Sequence, residues 1–366
     1  MENLNILHSK IEKILQDYKK KAPIIEKSKF AGTARESKKY FDGKEREDLI
    51  MLFGTRGCRW YLESGGCFMC SFNVGESFRE YSSKDIINQV KQIVKDHDLK
   101  KMEGVFICPY SSFDTLEMPK EAREFIYNLL NQYKNILYVA FQSRAEFVVD
   151  SILKEIKEKL ADKKLYVFIG LESSNDFITR YCIHKGYGFK EVKERVQLLK
   201  KYGVHPGVFL LLKPPFLAEK EAINDAIKSI KDCFRIGVED IYLMCNRIGG
   251  YSITDSLYKM KKYRAPWLWS IIEVLKNFDG EELKKIKISG FRVSIITLDD
   301  PHNCKICNEG VMNAIEKFNR TKSISAFDKL DCECKKEWEE ELKRRYLPLK
   351  TRIIEDYKEL ISFMEN

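Results

Sequence analysis

The stretch Leu49-Ile-Met-Leu-Phe-Gly-Thr-Arg-Gly-Cys58-Arg-Trp-Tyr-Leu-Glu-Ser-Gly-Gly-Cys67-Phe-Met-Cys70 runs from an apolar β-like segment directly into three cysteines. Eight residues separate the first two cysteines and two separate the last pair. Three thiolates without an obvious fourth imply a metal centre with an open coordination position. Thiolate sulfur favours iron-sulfur clusters, zinc and copper(I). A [4Fe-4S] cluster on Cys58, Cys67 and Cys70 would keep one iron free to chelate a small molecule. A zinc site normally draws on two paired cysteine groups, and this segment has one CX2C. Gly57, Gly65 and Gly66 suit a bulky cluster, because glycine lets backbone approach without a side chain in the way.

Outward from this motif the chain alternates short apolar runs with amphipathic stretches. Expected strands are Leu49 to Gly54, Gly104 to Cys108, Ile136 to Phe141, Leu165 to Leu171, Gly207 to Leu212 and Asp240 to Cys245. Helix-like segments lie between them near 84–97, 119–133, 147–160, 188–202 and 219–236. Nearly continuous apolar strands fit a parallel sheet covered by helices, either doubly wound or barrel-like. Polar residues follow each run: Thr55 to Cys58, Pro109 to Ser112, Gln142 to Arg144, Glu172 to Asn175, Lys213, and Asn246 to Gly250. In a barrel those positions are the C-terminal strand ends, where active sites are built. The expected fold is α/β, a partial (β/α)6 TIM-like barrel over 48–250. A helix and extended lead-in precede it over 1–47, and a cysteine-stapled module follows over 251–366, with a further β-like run from Arg292 to Leu298.

Sixty-four basic against 55 acidic side chains give a net charge of +9, and 12% aromatic content places that charge on a folded protein. The excess suits a polyanion such as nucleic acid, or simply a solvated lysine-rich surface. No apolar stretch approaches a membrane span, and Met-Glu-Asn-Leu-Asn lacks a signal peptide's pattern, so a cytoplasmic protein without a membrane partner is expected. In a reducing compartment the 11 cysteines are expected as metal ligands or buried thiols. Cys108, Cys182, Cys233 and Cys245 read as small buried hydrophobes.

A second group, Cys304-Lys-Ile-Cys307 and Cys332-Glu-Cys334, pairs CX2C with CX1C across 24 residues. Four thiolates in two close pairs match a closed tetrahedral Zn2+ site, with an auxiliary iron-sulfur cluster as the rival. His302 is a possible substitute ligand. Lys259, Lys261, Lys262, Arg264, Lys343, Arg344 and Arg345 lie around it with Tyr263, Trp267 and Tyr346, a combination able to attract RNA phosphates and stack bases. The alternative is that Trp267 and Trp269 are core and the lysines solvated.

Gly54-Thr-Arg-Gly-Cys-Arg-Trp60, Gly65-Gly-Cys-Phe-Met-Cys70, Leu211-Leu-Lys-Pro-Pro-Phe-Leu217 and Tyr263-Arg-Ala-Pro-Trp-Leu-Trp-Ser270 resemble the RaSEA family of archaeal radical S-adenosylmethionine (SAM) proteins. That family stands near the branch containing the Elongator catalytic subunit. The resemblance runs from about Thr55 to the last cysteines. It implies a radical SAM lyase that works with archaeosine synthase, tRNA and an electron donor. The substrate would be the lysine attached to 7-cyano-7-deazaguanine at position 15 of tRNA, and cleavage of the carbon–nitrogen bond within that lysine would leave archaeosine. By the same resemblance Cys58, Cys67 and Cys70 hold the [4Fe-4S] cluster, Ser111 and Ser112 lie near the SAM amino group, and Arg144 and Glu172 serve its carboxylate and ribose. Met69 and Gln142 depart from the family pattern, which has an aromatic and a glutamate there. Lys213 reads as a phosphate or carboxylate ligand, or as a solvated loop lysine. Two other functions stand beside this one: a different radical reaction on tRNA, of the methylthiolation or carboxymethyl type, and a non-catalytic, metal-stapled tRNA-binding subunit.

Overall fold

The computed structural model describes residues 2–23, 32–41, 44–72, 74, 80–291 and 297–365. An N-terminal helix α1 (Glu2–Lys20) precedes a β-hairpin, β1 (Thr33–Phe41) and β2 (Lys44–Leu52). After a short helix α2 (Arg59–Ser64) the chain proceeds through α3 (Ser83–Asp96), β3 (Gly104–Cys108), α4 (Lys120–Asn131), β4 (Tyr138–Ser143), α5 (Asp150–Lys159) and β5 (Lys164–Glu172). It continues through α6 (Phe189–Lys201), β6 (His205–Leu212), α7 (Glu219–Ile236) and β7 (Asp240–Cys245). The C-terminal third holds β8 (Ile248–Gly249), α8 (Ile253–Lys259), α9 (Leu268–Leu275), α10 (Gly280–Lys284), β9 (Ile286–Ser289), β10 (Thr297–Asp299), α11 (Asn308–Thr321), α12 (Cys334–Lys343) and α13 (Leu349–Glu365).

The main sheet runs β1-β2-β3-β4-β5-β6-β7-β9. All neighbours are parallel from β2 onward, and β1 lies antiparallel on β2. Its outer face, with Val105, Val139, Val167, Val208 and Ile241, packs under the crossover helices in the main core. Local signals agree with this layout. Ser82 closes a capping box with Asp85 at the start of α3, and Gly237 ends α7 in the left-handed conformation at φ 92°.

Side chains on the inner face measure the curl. Phe106 on β3 and Tyr242 on β7 have ring centroids 6.4 Å apart, although their strands are four positions apart in the sheet. A flat sheet would separate them by roughly 19 Å at about 4.8 Å per strand. The sheet therefore curls into a half-barrel filled by Phe106, Tyr138, Ala140, Tyr166 and Phe168. Gly104 and Gly207 are required by this filling. A Cβ on Gly104 would sit 2.0 Å from the Tyr138 ring, and one on Gly207 2.4 Å from Phe168. Lys39 of β1 is buried there too, its Nζ 5.2–5.7 Å from the centroids of Phe106, Tyr138, Phe168 and Tyr242.

The six expected strands are present, and the sheet has two more. Residues 33–41, expected as an extended lead-in, form the antiparallel edge strand β1, and β9 adds a seventh parallel strand. Of the β-like run from Arg292 to Leu298, residues 292–296 lie outside the described residues, while Thr297 begins β10, which pairs with β8. Among the described residues no helix is long and apolar enough to cross a membrane.

Candidate active site

Strand β2 delivers the polypeptide to the cysteine loop, and Gln89 of α3 fixes that exit. Its amide accepts from Gly54 N and donates to Gly54 O, both at 2.8 Å. Gly57 at φ 102° turns the backbone into α2, and Gly65 and Gly66 at φ 81° and 78° reverse it, so that Cys67 and Cys70 return beside Cys58. Neither Gly65 nor Gly66 tolerates a side chain: a Cβ at Gly65 would meet Gln16 Cγ at 2.8 Å, and one at Gly66 would press on Tyr61 at 3.1 Å. Phe68 anchors the loop on both sides, donating N–H to Ile183 O and accepting from Ile253 N, each at 2.8 Å.

Cys67 is buried, and Cys58 and Cys70 are half-buried. Burial pushes the Cys58 thiol up to about 12, against the pull of Arg144, and raises Cys70 against the pull of Lys19. Thiols in such a place ionise when a metal takes them as ligands. Three cations lie near the resulting charge, two of them already paired, Arg144 with Glu146 and Lys185 with Glu172. Lys19 of α1 is buried, donates to Gly65 O and lies 4.7 Å over the Tyr61 ring. Burial lowers its amine to about 8, against attraction from Cys70, Cys67 and Cys58 together. Arg144 and Lys185 are the other two, both in electrostatic contact with Cys67. Soft donors, a glycine cradle and a cationic surround fit a cluster held by three cysteines.

Replacing Lys19 with methionine removes a buried, charge-assisted hydrogen bond to the loop, at a cost of about 1.5–3 kcal/mol. The denaturant midpoint is expected to fall accordingly, with most of the loss recovered in Lys19→Arg.

Both termini of the protein clasp this loop. His8 of α1 bonds Tyr357 Oη of α13 through Nδ1 at 2.9 Å and His184 through Nε2 at 3.0 Å, while Trp60 Nε1 donates to His184 O at 2.8 Å. Burial pushes His8 down to about 4 and His184 to about 3, so both rings are neutral in the folded protein. The unfolded histidines take up protons near 6.5, so below that pH the unfolded state binds more protons and stability falls with acidification. The denaturant midpoint should drop between pH 7 and pH 5, and the drop should shrink in His8→Phe.

The residues assigned to SAM fall into two sets. Ser111 and Ser112 are buried and internally bonded. Ser111 Oγ lies 2.9 Å from Ser143 Oγ, its N–H donates to Glu117 Oε2 at 2.9 Å, and Ser112 Oγ donates to Ile107 O at 3.1 Å. They lock the β3 loop to the end of β4. Arg144 and Glu172 instead converge beside the cysteine loop. The Arg144 guanidinium lies 5.3 Å from the Trp60 ring centroid and 4.9 Å from that of Tyr187, and donates to Lys185 O at 3.0 Å. Glu172, at φ 69°, takes Lys185 Nζ at 2.8 Å. Burial disfavours the Lys185 charge, but Glu172 outweighs it and holds the amine well above its ordinary range.

Sequence reasoning missed Lys19, Lys185 and Glu117. Glu117 is buried, and that burial pushes its carboxyl well above the usual carboxylate range. Gln142 braces the loop by donating to Pro109 O at 2.6 Å.

Lys213 is committed to an ion pair rather than solvated. It is 3% exposed and pairs with Glu219 at 2.6 Å. Glu219 also accepts from Trp267 N at 2.9 Å and Ser270 Oγ at 2.5 Å. The Trp-Leu-Trp-Ser segment is therefore core. From it Trp267 Nε1 reaches Glu341, Trp269 Nε1 reaches Cys334 Sγ at 3.4 Å, and Ser270 Oγ accepts from Trp338 Nε1 at 2.9 Å.

Cys304, Cys307, Cys332 and Cys334 meet at the N-terminal ends of α11 and α12, with all four sulfurs within 4.8 Å of one another. The separations are 3.7 Å for Cys304–Cys307, 3.5 Å for Cys304–Cys332 and 3.6 Å for Cys307–Cys334. Four sulfurs about 2.3 Å from a single tetrahedral ion stand roughly 3.8 Å apart. A backbone hydrogen bond from Cys307 draws the Cys304 thiol down to about 6. His302 stays out of this group, paired with Asp299 at 3.2 Å.

The Radical SAM superfamily model matches residues 52–228. An uncharacterized protein of Methanocaldococcus jannaschii is 31% identical over 336 residues, 90% of this chain and 91% of that protein. The archaeosine synthase subunit beta of Methanosarcina acetivorans is 31% identical over 82% of this chain and 86% of its own length. Its counterpart from Thermococcus kodakarensis is 31% identical over 81% of this chain and 92% of its own length.

Proposed function

Because the chain belongs to the radical SAM superfamily, in the family of the archaeosine synthase beta subunits, we propose that it is the radical SAM lyase of archaeosine formation. Its substrate is a tRNA bearing lysine on the 7-cyano-7-deazaguanine at position 15, and the bond cleaved is the carbon–nitrogen bond within that lysine. It works with an archaeosine synthase partner in the cytoplasm and needs an external one-electron donor. The observation that carries this reading is 31% identity to two archaeosine synthase beta subunits over more than four-fifths of the sequence.

In this reading Cys58, Cys67 and Cys70 hold a [4Fe-4S] cluster. When bound, that cluster supplies the electron that cleaves the SAM sulfonium and gives the 5′-deoxyadenosyl radical. Arg144, stacked by Trp60 and Tyr187, and the Glu172–Lys185 pair hold the charged and ribose portions of SAM. Ser111, whose hydroxyl accepts from Arg144 N, and Ser112, whose N–H donates to Gln142 O, position Arg144 at the end of β4. Lys19, Arg144 and Lys185 offset the negative charge of the thiolates. The four C-terminal cysteines hold a single structural ion, and the 3.5–3.7 Å sulfur separations favour Zn2+ over an auxiliary cluster.

The test is nucleoside analysis of tRNA carrying the lysine adduct after anaerobic incubation with reduced, iron-loaded protein and SAM. Conversion of the adduct to archaeosine is expected. A methylthiolated or carboxymethylated nucleoside in its place would mean that the protein performs a different radical reaction.

A further inference from the structure

The end of β6, the turn after α8 and the helices α12 and α13 surround a cavity of about 490 Å³. Six cations line it: Lys213, Lys261, Lys262, Arg264, Arg344 and Arg352, against the two acids Glu341 and Asp356. Three of the six are committed elsewhere. Lys213 is matched by Glu219, Lys262 by Asp356 at 3.2 Å, and Arg352 by Glu221 at 2.8 Å. Glu341 in turn accepts from Trp267 Nε1.

Among the described residues Lys261 and Arg344 form no ion pair, so their charges face the cavity uncompensated. Arg264 stacks on the Trp267 ring with its guanidinium carbon 3.9 Å from the centroid and donates Nη2 to His302 O at 2.9 Å. Its Nη1 is buried without an acceptor. A buried guanidinium nitrogen lacking an acceptor among the described residues is costly, and Arg264 brings its charge to the cavity wall. Lys261 adds a second sign. It occupies the left-handed position ending α8, at φ 58°, where glycine is the residue of least strain. Tyr346, 48% exposed on the rim and 5.5 Å from the Arg352 guanidinium, offers an aromatic face beside the charges.

We propose that this cleft binds the tRNA backbone, with Lys261 and Arg344 on two neighbouring phosphates, Arg264 between them, and Tyr346 against the adjoining nucleoside. The proposal rests on the tRNA reading above and names where the RNA lies. Cations with a neighbouring exposed aromatic suit RNA better than an acidic protein surface, which has no base to stack. The cleft also opens beside the C-terminal end of β6, on the same barrel face as the cysteine loop, so one RNA can reach both.

The experiment measures affinity of the metal-loaded protein for the lysine-adduct tRNA across a salt series, in wild type and in Lys261→Ala/Arg344→Ala. Zinc content and melting temperature are followed in both to register folding. The double variant should bind at least tenfold more weakly at 150 mM salt. Its slope of log affinity against log salt should be shallower by about 1.5–2, as expected for two lost phosphate contacts. Unchanged affinity and slope in the double variant would overturn the cleft assignment while leaving the lyase reading intact. Normal tRNA binding with loss of the archaeosine synthase partner would also overturn it, making the cleft a protein interface. Absence of tRNA binding by the wild type would overturn both.

Discussion

Replacement of Cys67 with alanine is expected to yield a folded protein without a four-iron cluster, with 5′-deoxyadenosine formation at least a thousandfold below wild type and one zinc per molecule retained. The expectation follows from where this thiol lies. Cys67 is the buried member of the three, inside the loop that Gly65, Gly66 and Phe68 hold in place, and it is the thiol that both Arg144 and Lys185 face. Alanine at that position leaves a cluster one ligand short. The C-terminal four-sulfur site is built on α11 and α12 from other segments of the protein, so its ion should not respond. Iron and zinc counts on the same preparation check both halves, and joint loss of the two metals would mean that the sites are not independent.

Glu219→Ala is expected to cost about 3–5 kcal/mol, the range for removing one partner of a buried ion pair. The Glu219 side chain is fully buried and accepts from three directions: Lys213 Nζ, Trp267 N and Ser270 Oγ. Its removal leaves a charged amine and two donors without their acceptor at a buried position. The effect should spread, because Ser270 also receives Trp338 Nε1 and Trp269 reaches Cys334. Denaturant unfolding should give a much lower midpoint. In a double-mutant cycle Lys213→Met should recover most of the loss, since it removes the stranded charge. A loss below about 1 kcal/mol would mean that the pair does not tie the barrel to the C-terminal module.

Why some of this was legible in the sequence and some was not follows from the distance over which each signal acts. The cysteine loop is local: soft donors and paired glycines within 14 residues mark a candidate metal site by composition and spacing. The six central strands are equally readable, because a strand buried on both faces must be apolar at nearly every position. Strand β1 was hidden for the same reason in reverse. Thr33-Ala-Arg-Glu-Ser-Lys-Lys-Tyr-Phe41 has no apolar run, since it is an edge strand whose Lys39 is stabilised by four aromatic rings from elsewhere in the barrel. Strand β9 is four residues long, too short to show a pattern.

The site divides along the same line. Lys19 meets Gly65 across 46 residues of sequence, and nothing around Lys19-Lys-Lys21 distinguishes a buried lysine from a solvated one. Lys185 acquires its meaning from Glu172, which a π-helical turn over Ile178–Ile183 brings back beside it. Lys213 looked available because its counter-ion Glu219 lies one helix start further on. Ser111 and Ser112 follow β3 as expected, while the partners of their hydroxyls, Ser143 Oγ and Ile107 O, follow from the folded strands rather than from the local sequence.

The most direct test is reductive cleavage of SAM by the reconstituted protein in the presence of tRNA carrying the lysine adduct, read as 5′-deoxyadenosine. Its release is expected, dependent on reductant and on the adduct, together with archaeosine in the tRNA. Protein that holds four irons and one zinc, binds this tRNA and still releases no 5′-deoxyadenosine would contradict the lyase reading.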